Sequence, residues 1–493
     1  MRNNSRLARN MSRSRLSVVL TMAPIAVVLS VSFVAFNAAS ATDEVPQDAG
    51  APAAAEQVPQ LDPRMEAYDQ FRALLETGQY AEALPLAQRV VELTEVAADR
   101  DIELPVAYNN LGATQFQLGN YADAEASYQK SLELVESRQG ISSRRLVVPL
   151  TGLGTVYAAL DQHPLAAEYF DRALAVSRRS EGLFNLAQLP LIDQLVNSLY
   201  VLGDYKGVER GRFYALKIAE QNYGFDDPRT LPATTQLASF YESVSQFAAA
   251  RGMYLRMRDI SMQESGGFNP LTIRSLIAIA RTHRLQYTLD PTSLVDDMAL
   301  RDLDYGDPVP QGNQSSLLAP HANRAGLNSI ESALSLLRST PDPPSQLLLE
   351  ALVEMGDWFM ATARLGAAMP FYAEASTIQP VEPDQGNPLL APRVVFYRPP
   401  VAAVRSIETD SRKLLIRKTV FSLLVTETGD TQDITVVSSD MSEAQQVLAR
   451  RALERAVYSP RFEQGRPVAT EGVLFTGEWR ELEPIEAPSA AGT

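Results

Sequence analysis

The 493-residue chain has no cysteine, and only three histidines and two tryptophans. Without a thiol there can be no disulfide, no cysteine nucleophile and no thiolate-held zinc. Lipid attachment at a cysteine behind an export signal is excluded as well. His163, His283 and His321 are too few and too scattered for a histidine base or a His-ligated metal. Positive charge is short: the formal net charge is −15 and the pI near 4.9, so no basic footprint exists for a nucleic-acid backbone. The nucleophile-elbow, P-loop, zincin and dinucleotide-binding motifs are missing. Gly152-Leu153-Gly154 lies inside a helical pattern and reads as packing. A non-enzyme with no catalytic residue, no metal and no cofactor is expected, although carboxylates are abundant enough to leave acid–base chemistry open.

Long apolar runs are also absent, except at the amino terminus. There, Arg2, Arg6, Arg9, Arg13 and Arg15 precede an apolar stretch from Leu16 to Phe36, and Ala39-Ser40-Ala41 follows as a small-x-small cleavage pattern. Residues 1–41 therefore read as a signal peptide or, if uncleaved, a signal anchor. The rest of the chain is expected in the periplasm, free or tethered to the inner membrane. Residues 42–60, rich in Ala, Pro and acids, read as a disordered spacer.

What the chain has in quantity is internal repetition. Leu111, Leu153, Leu195, Leu237 and Ile279 lie 42 residues apart. The same period relates Tyr121, His163, Tyr205 and Phe247; Ala124, Ala166, Val208 and Ala250; and Gly140, Gly182, Gly224 and Gly266. Within one unit, Tyr108, Leu111 and Gln115 share a helical face, Gly119 ends the helix and Asn120 suits the next N-cap. Ala124, Tyr128, Ser131 and Leu134 then form a second stripe. Small residues such as Gly112 and Ala124 let helix axes approach to about 8–10 Å, with the aromatic at Tyr128, Phe170 or Tyr254 filling the space beside them.

Asn110-Leu111-Gly112, Gly119-Asn120-Tyr121 and Ala124, together with Leu153-Gly154, Tyr157, Ala166, Phe170 and Ala173, resemble the tetratricopeptide repeat. The 42-residue spacing is similar to the variety found in kinesin light chains. The resemblance implies a mainly α superhelical array of hairpins over residues 61–380, with an acidic insertion at about 290–321. An earlier unit starts near Pro63, and a last hairpin runs over Gln346–Ile378. The insertion lacks the regular acid spacing and closing Glu of a calcium-binding hand and reads as a solvated loop.

Composition shifts at Gln379. Residues 381–400 read as a Pro-rich linker, 401–482 as a small α+β domain and 483–493 as a disordered tail. Thr419–Thr426 alternates with Phe421, Leu423 and Val425 on one face, Thr428-Gly429-Asp430 is a turn, and Ile434–Val437 pairs back. Ser442 and Gln445 make a capping box for a helix to about Ala456, and Val473–Trp479 is a last strand. The hairpin at Gly429-Asp430, the run Ala452–Val457, and Pro460-Arg461-Phe462 to Gly465-Arg466-Pro467-Val468 resemble the carboxy-terminal domain of TonB-family proteins. That resemblance implies docking of a receptor peptide as an added strand, with the strand of Val473, Phe475 and Trp479 as the candidate edge.

Arrays of helical hairpins expose a groove lined by each unit's first helix. The matching positions are Asn109, Ala113 and Phe116; Thr151 and Thr155; Asp193, Asn197 and Tyr200; Thr235 and Ser239. They are expected to grip protein or peptide partners of the cell envelope, among them an outer-membrane receptor. The chain thus reads as a periplasmic scaffold, with an inner-membrane energy transducer for outer-membrane transport as the alternative.

Overall fold

The computed structural model describes residues 62–97, 100–265, 268–289, 315–379, 386–398, 400 and 414–482. The expected signal segment 1–41, the spacer 42–60, residues 290–314 of the insertion and the tail 483–493 lie outside them. The chain divides into two compact units, with the boundary between Leu237 and Ala238.

In the first unit, helices alternate as antiparallel hairpins: α1 (Pro63–Glu76) with α2 (Tyr80–Glu95), α3 (Arg100–Gln117) with α4 (Tyr121–Gln139), α5 (Val147–Ala159) with α6 (His163–Glu181), and α7 (Leu189–Val201) with α8 (Tyr205–Tyr223). α9 (Leu231–Ser243) carries the chain across the boundary. The 42-residue period arises because, from α5 onward, a 13-residue first helix is followed by a 19-residue second helix and a short 3-10 turn. Leu111, Leu153, Leu195, Leu237 and Ile279 are all buried. So are Ala124, Ala166, Val208 and Ala250.

The glycines show why small and large residues recur together. A Cβ on Gly112 would press on the Tyr128 ring at 3.2 Å, and one on Gly154 would meet the Phe170 ring at 2.6 Å. In each case the aromatic lies sixteen positions further on. The fourth hairpin breaks this pattern. Val196 takes the glycine position and Arg212 the aromatic one, while Gly211 makes room for Val196 Cγ2. Asn120 is the N-cap residue of α4 as expected, but its side chain makes no capping bond. Asp204 does cap α8, accepting from Gly207 N at 2.9 Å.

The second unit contains α10 (Phe247–Ser265), α11 (Pro270–Leu289), α12 (Ser315–Ser339), α13 (Ser345–Ala361) and α14 (Leu365–Ser376). The helix Ser315–Ser339 begins inside the stretch 290–321 that was expected as an insertion. The glycine–aromatic device returns in the last hairpin, where a Cβ on Gly356 would lie 2.3 Å from the Tyr372 ring.

The carboxy-terminal module adds strands β1 (Arg393–Phe396), β2 (Leu414–Val425), β3 (Thr431–Ser439), β4 (Val457–Ser459), β5 (Arg461–Glu463), β6 (Arg466–Val468) and β7 (Thr470–Leu482), with helix α15 (Glu443–Leu453) between β3 and β4. An antiparallel sheet has the order β3-β2-β7; β1 pairs with β4, and β5 with β6. Phe421, Leu423 and Val425 pack with Ala449 and Leu453 of α15. The capping box at Ser442 and Gln445 is present. Gly429 is fixed by space as well as by its φ of +85°, because a Cβ there would fall 2.0 Å from the Tyr458 carbonyl oxygen.

Within the expected linker 381–400, the described residues 386–398 are anchored to the last hairpin. Asn387 donates to the carbonyls of Ala375 and Ile378 at the end of α14, Leu389 is fully buried, and β1 begins at Arg393. The Asn387 amide and the Leu389 side chain anchor the chain on the last hairpin. One hydrophobic cluster holds Ile277, Leu334 and Tyr372 from helices together with Leu389, Val395 and Phe462 from the module. The rings of Tyr372 and Phe462 meet edge-on at 5.9 Å.

Candidate functional site

The ten groove positions do not form one exposed stripe. Asn109, Ala113 and Phe116 of the second hairpin and Thr155 of the third are buried, which corrects the expectation that they line an exposed groove. First helices of successive units touch, α3 against α5 and α5 against α7, so part of the face expected to line a groove is spent on packing. Phe116 closes onto the Tyr121 ring at 5.4 Å. The Asn109 Oδ1 is buried with no hydrogen-bond partner among the described residues.

Several polar groups of the stripe are satisfied internally. The hydroxyls of Thr151, Thr155 and Thr235 donate to the carbonyls of Val147, Thr151 and Leu231, each one turn back. Asp193 is paired with Arg212, which also donates to Gln236 Oε1 at 2.8 Å. Arg212 is 9% exposed and requires such partners. A charge in the register of Tyr128 and Phe170 was a mark that could have pointed to a partner but was not read; Asp193 and Gln236 supply it. Ser239 is half-buried, and Thr235, Asn197 and Tyr200 are exposed. Tyr200 leans edge-on against Tyr205 at 5.8 Å. Of the expected stripe in the first unit, Asn197 and Tyr200 on α7 are the exposed pair left to offer both an amide and an aromatic face.

The second candidate is β7. It pairs with β2 from Leu414↔Leu482 to Val425↔Thr470, and among the described residues no strand lies on its other side. Val473 and Phe475 sit opposite Leu423 and Phe421 and are half-buried with Trp479. Phe475 also meets the Tyr397 ring at 4.7 Å. Val473 and Phe475 pack on the core of their own module, leaving the strand's outer backbone groups as the part a partner would read.

Sequence reasoning missed a buried ionic cluster in the second unit. Arg284 of α11 grips Glu354 of α13 through two bonds of 2.7 and 2.8 Å and lies 3.5 Å from Asp357. Arg393 of β1 grips Asp357 at 3.0 and 2.5 Å, and Tyr372 donates to the same carboxylate at 2.6 Å. Burial pushes Glu354 above the ordinary carboxylate range against the pull of Arg284. Burial would raise Asp357 too, but Arg393, Arg284 and Tyr372 hold it below that range. Both carboxylates are enclosed and paired, an arrangement that fastens elements together and exposes no reacting group. Among the described residues no group of three or more His, Cys, Asp or Glu is placed to hold a metal.

Comparison with known proteins agrees with the hairpin geometry. The tetratricopeptide repeat family profile matches residues 72–137 and 103–179. Those residues are tetratricopeptide repeats, a fold that serves as a protein–protein interaction scaffold, and no catalytic family is indicated. Similar solved structures include the Podosopora anserina kinesin light chain nearly identical TPR-like repeats, 15% identical over 41% of this chain and 97% of that one, with a TM-score of 0.37. BtubC (BKLC) from P. vanneervenii is 17% identical over 42% of this chain and 82% of its own, at a TM-score of 0.36. A tetratricopeptide repeat protein from Parabacteroides merdae is 12% identical over 65% and 94%, at 0.32. No curated protein matches the chain.

Proposed function

We propose that the protein is an exported, periplasmic, non-enzymatic scaffold that holds envelope proteins or peptides at two places: the Asn197–Tyr200 face of α7 and the outer edge of β7. The observation that carries this reading is the long strand β7, paired on one side and without a strand partner on the other among the described residues. An extended peptide added there would satisfy its backbone groups, the mode that the TonB-like order of the module implies. The alternative, an inner-membrane energy transducer for outer-membrane transport, uses the same edge but needs a retained membrane helix and a free reach. The docking of 386–398 on the last hairpin shortens that reach and favours the scaffold.

Two measurements test the proposal. A photoreactive residue at Tyr200, and separately at Leu474, should cross-link to envelope proteins in intact cells; silence at both positions contradicts partner holding. Amino-terminal sequencing of the mature protein should begin at Thr42 in the periplasmic fraction. A membrane-bound form retaining residues 1–41 would replace the scaffold with the transducer.

A further inference from the structure

The stripe expected to line a groove recurs in the last hairpin, where the chain itself covers it. Counted from Gly112, the stripe positions Ala113 and Phe116 fall one and four residues on. Counted from Gly356, the glycine that seats Tyr372, the same positions are Asp357 and Met360. Both are buried, at 2% and 5% exposure. Arg393 of β1 forks onto the Asp357 carboxylate, and Met360 Cε lies 2.9 Å from the place a Cβ on Gly429 would take. Arg398 donates to the Thr288 carbonyl at the end of α11 at 3.1 Å. The segment 386–398 thus passes over the stripe of α13 and reaches α11, much as a bound peptide crosses the first helices of an array.

The contact at Asp357 is shaped for a guanidinium. Its two oxygens accept from Arg393 at 3.0 and 2.5 Å, and the Tyr372 hydroxyl donates to Oδ1 at 2.6 Å. Tyr372 is fully buried and its ring lies against Gly356, so the hydroxyl holds the carboxylate in one orientation. A planar fork on a fixed carboxylate selects arginine over lysine. Arg284 approaches the same carboxylate to 3.5 Å but is spent on Glu354 through two bonds, which leaves Asp357 to a second arginine.

The site has an open side. The Arg284 side chain is 7% exposed, whereas that of Arg393 is 29% exposed. Arg393 Nε is buried with no acceptor among the described residues, so the guanidinium is satisfied at its two tips alone. Closing the end of an array needs an apolar cover, and Leu389, Val395 and Phe462 supply one. A desolvated ion pair adds little stability to such a cover. What it adds is selection of one side chain in one geometry.

We infer that Asp357 and Tyr372 form an arginine-binding site on the stripe of the last hairpin, which the chain fills with its own Arg393. This occupancy in cis is autoinhibitory: an extended partner segment that carries an arginine takes the place of 386–398. Filling by Arg393 lowers the apparent affinity for such a segment by the fraction of time the site stands open. Because Arg393 belongs to β1, capture of a partner's arginine and release of the carboxy-terminal module from the last hairpin are one event. This inference is independent of the sites proposed on α7 and β7.

Two measurements on the full chain test it. In R393A the guanidinium is removed while Leu389 and Val395 still hold the segment. N-acetylarginine methylamide should then raise the melting temperature of R393A, as a ligand of the folded state does. The lysine analogue should not, and neither compound should stabilise the parent. In R393E the introduced carboxylate faces Asp357 and expels the segment. A fluorescein-labelled peptide of residues 389–397 should bind R393E about tenfold or more tighter than the parent. The same peptide with lysine for its arginine should bind neither, and adding D357N to R393E should abolish binding. Circular dichroism checks the fold, and R393Q, which opens the site without repulsion, serves in the same assay if R393E does not fold. An arginine analogue without effect on R393A, an equal effect of the lysine analogue, or equal peptide binding by the parent and the opened variant overturns the inference.

Discussion

Replacing Asp357 with alanine should cost the second unit about 3–5 kcal/mol, measured by chemical denaturation of the full chain, because one partner of a buried charge cluster is removed and the others stay. Asp357 is 2% exposed and receives bonds from Arg393 and Tyr372, with Arg284 at 3.5 Å. Its loss leaves two guanidinium groups facing each other with one carboxylate, that of Glu354. The pair Arg338–Glu374 is the control, since its side chains are 52% and 44% exposed. Glu374→Ala should cost about 0–1 kcal/mol. The cluster also gives the pH response a sign. Asp357 has its pKa held below the ordinary value, so its contribution is present above the usual carboxylate range and is lost as pH falls through the depressed value. Asp357→Ala should remove that part of the acid sensitivity. A variant as stable as the parent would mean that β1 is not fastened to α13 in this way.

The second large effect concerns the repeats. Leu153→Ala should destabilise the first unit by about 2–5 kcal/mol, the range for a buried leucine whose surroundings cannot collapse. Leu153 is fully buried, between the neighbouring positions Gly152 and Gly154, where added Cβ atoms would strike Tyr128 and Phe170. Thr151, two positions away, is half-buried and spends its hydroxyl on its own helix at 2.7 Å. Thr151→Ala should change stability by roughly 0.5 kcal/mol or less, as surface substitutions do. Thermal melts of the two variants decide the matter, and comparable shifts would contradict the assigned helix faces.

How much of this was legible in the sequence depended on range. The repeat period, the turn glycines, the Gly–aromatic pairing and the capping box at Ser442 are local patterns repeated or confined within a few turns, and each leaves a mark at fixed spacing. The fate of the groove was not legible, because Asn109 and Thr155 have the polarity of surface residues. Only contact between first helices of neighbouring units, which no single-helix periodicity contains, puts them inside. The cluster of Arg284, Glu354, Asp357 and Arg393 was hidden for the same reason. Its members lie up to 109 positions apart, and each reads alone as an ordinary surface charge. Strands β1, β4, β5 and β6 have only three or four residues, too few for alternation to register. Arg212 left a mark that went unread: it is a charge in an aromatic register, and its partner Asp193 emerges only from the structure.

The account rests on small residues of one helix seating the ring sixteen positions later. A double-mutant cycle at Gly154 and Phe170, followed by denaturation, tests this most directly. In the parent, Gly154→Ala should destabilise by about 1–3 kcal/mol, because its methyl meets the ring. In a Phe170→Ala background the same change should be neutral or stabilise by up to about 1 kcal/mol, since the methyl enters vacated space and alanine favours the helix. A reversal of sign is the predicted result. The same destabilisation in both backgrounds would show that the two residues do not meet and would contradict the account.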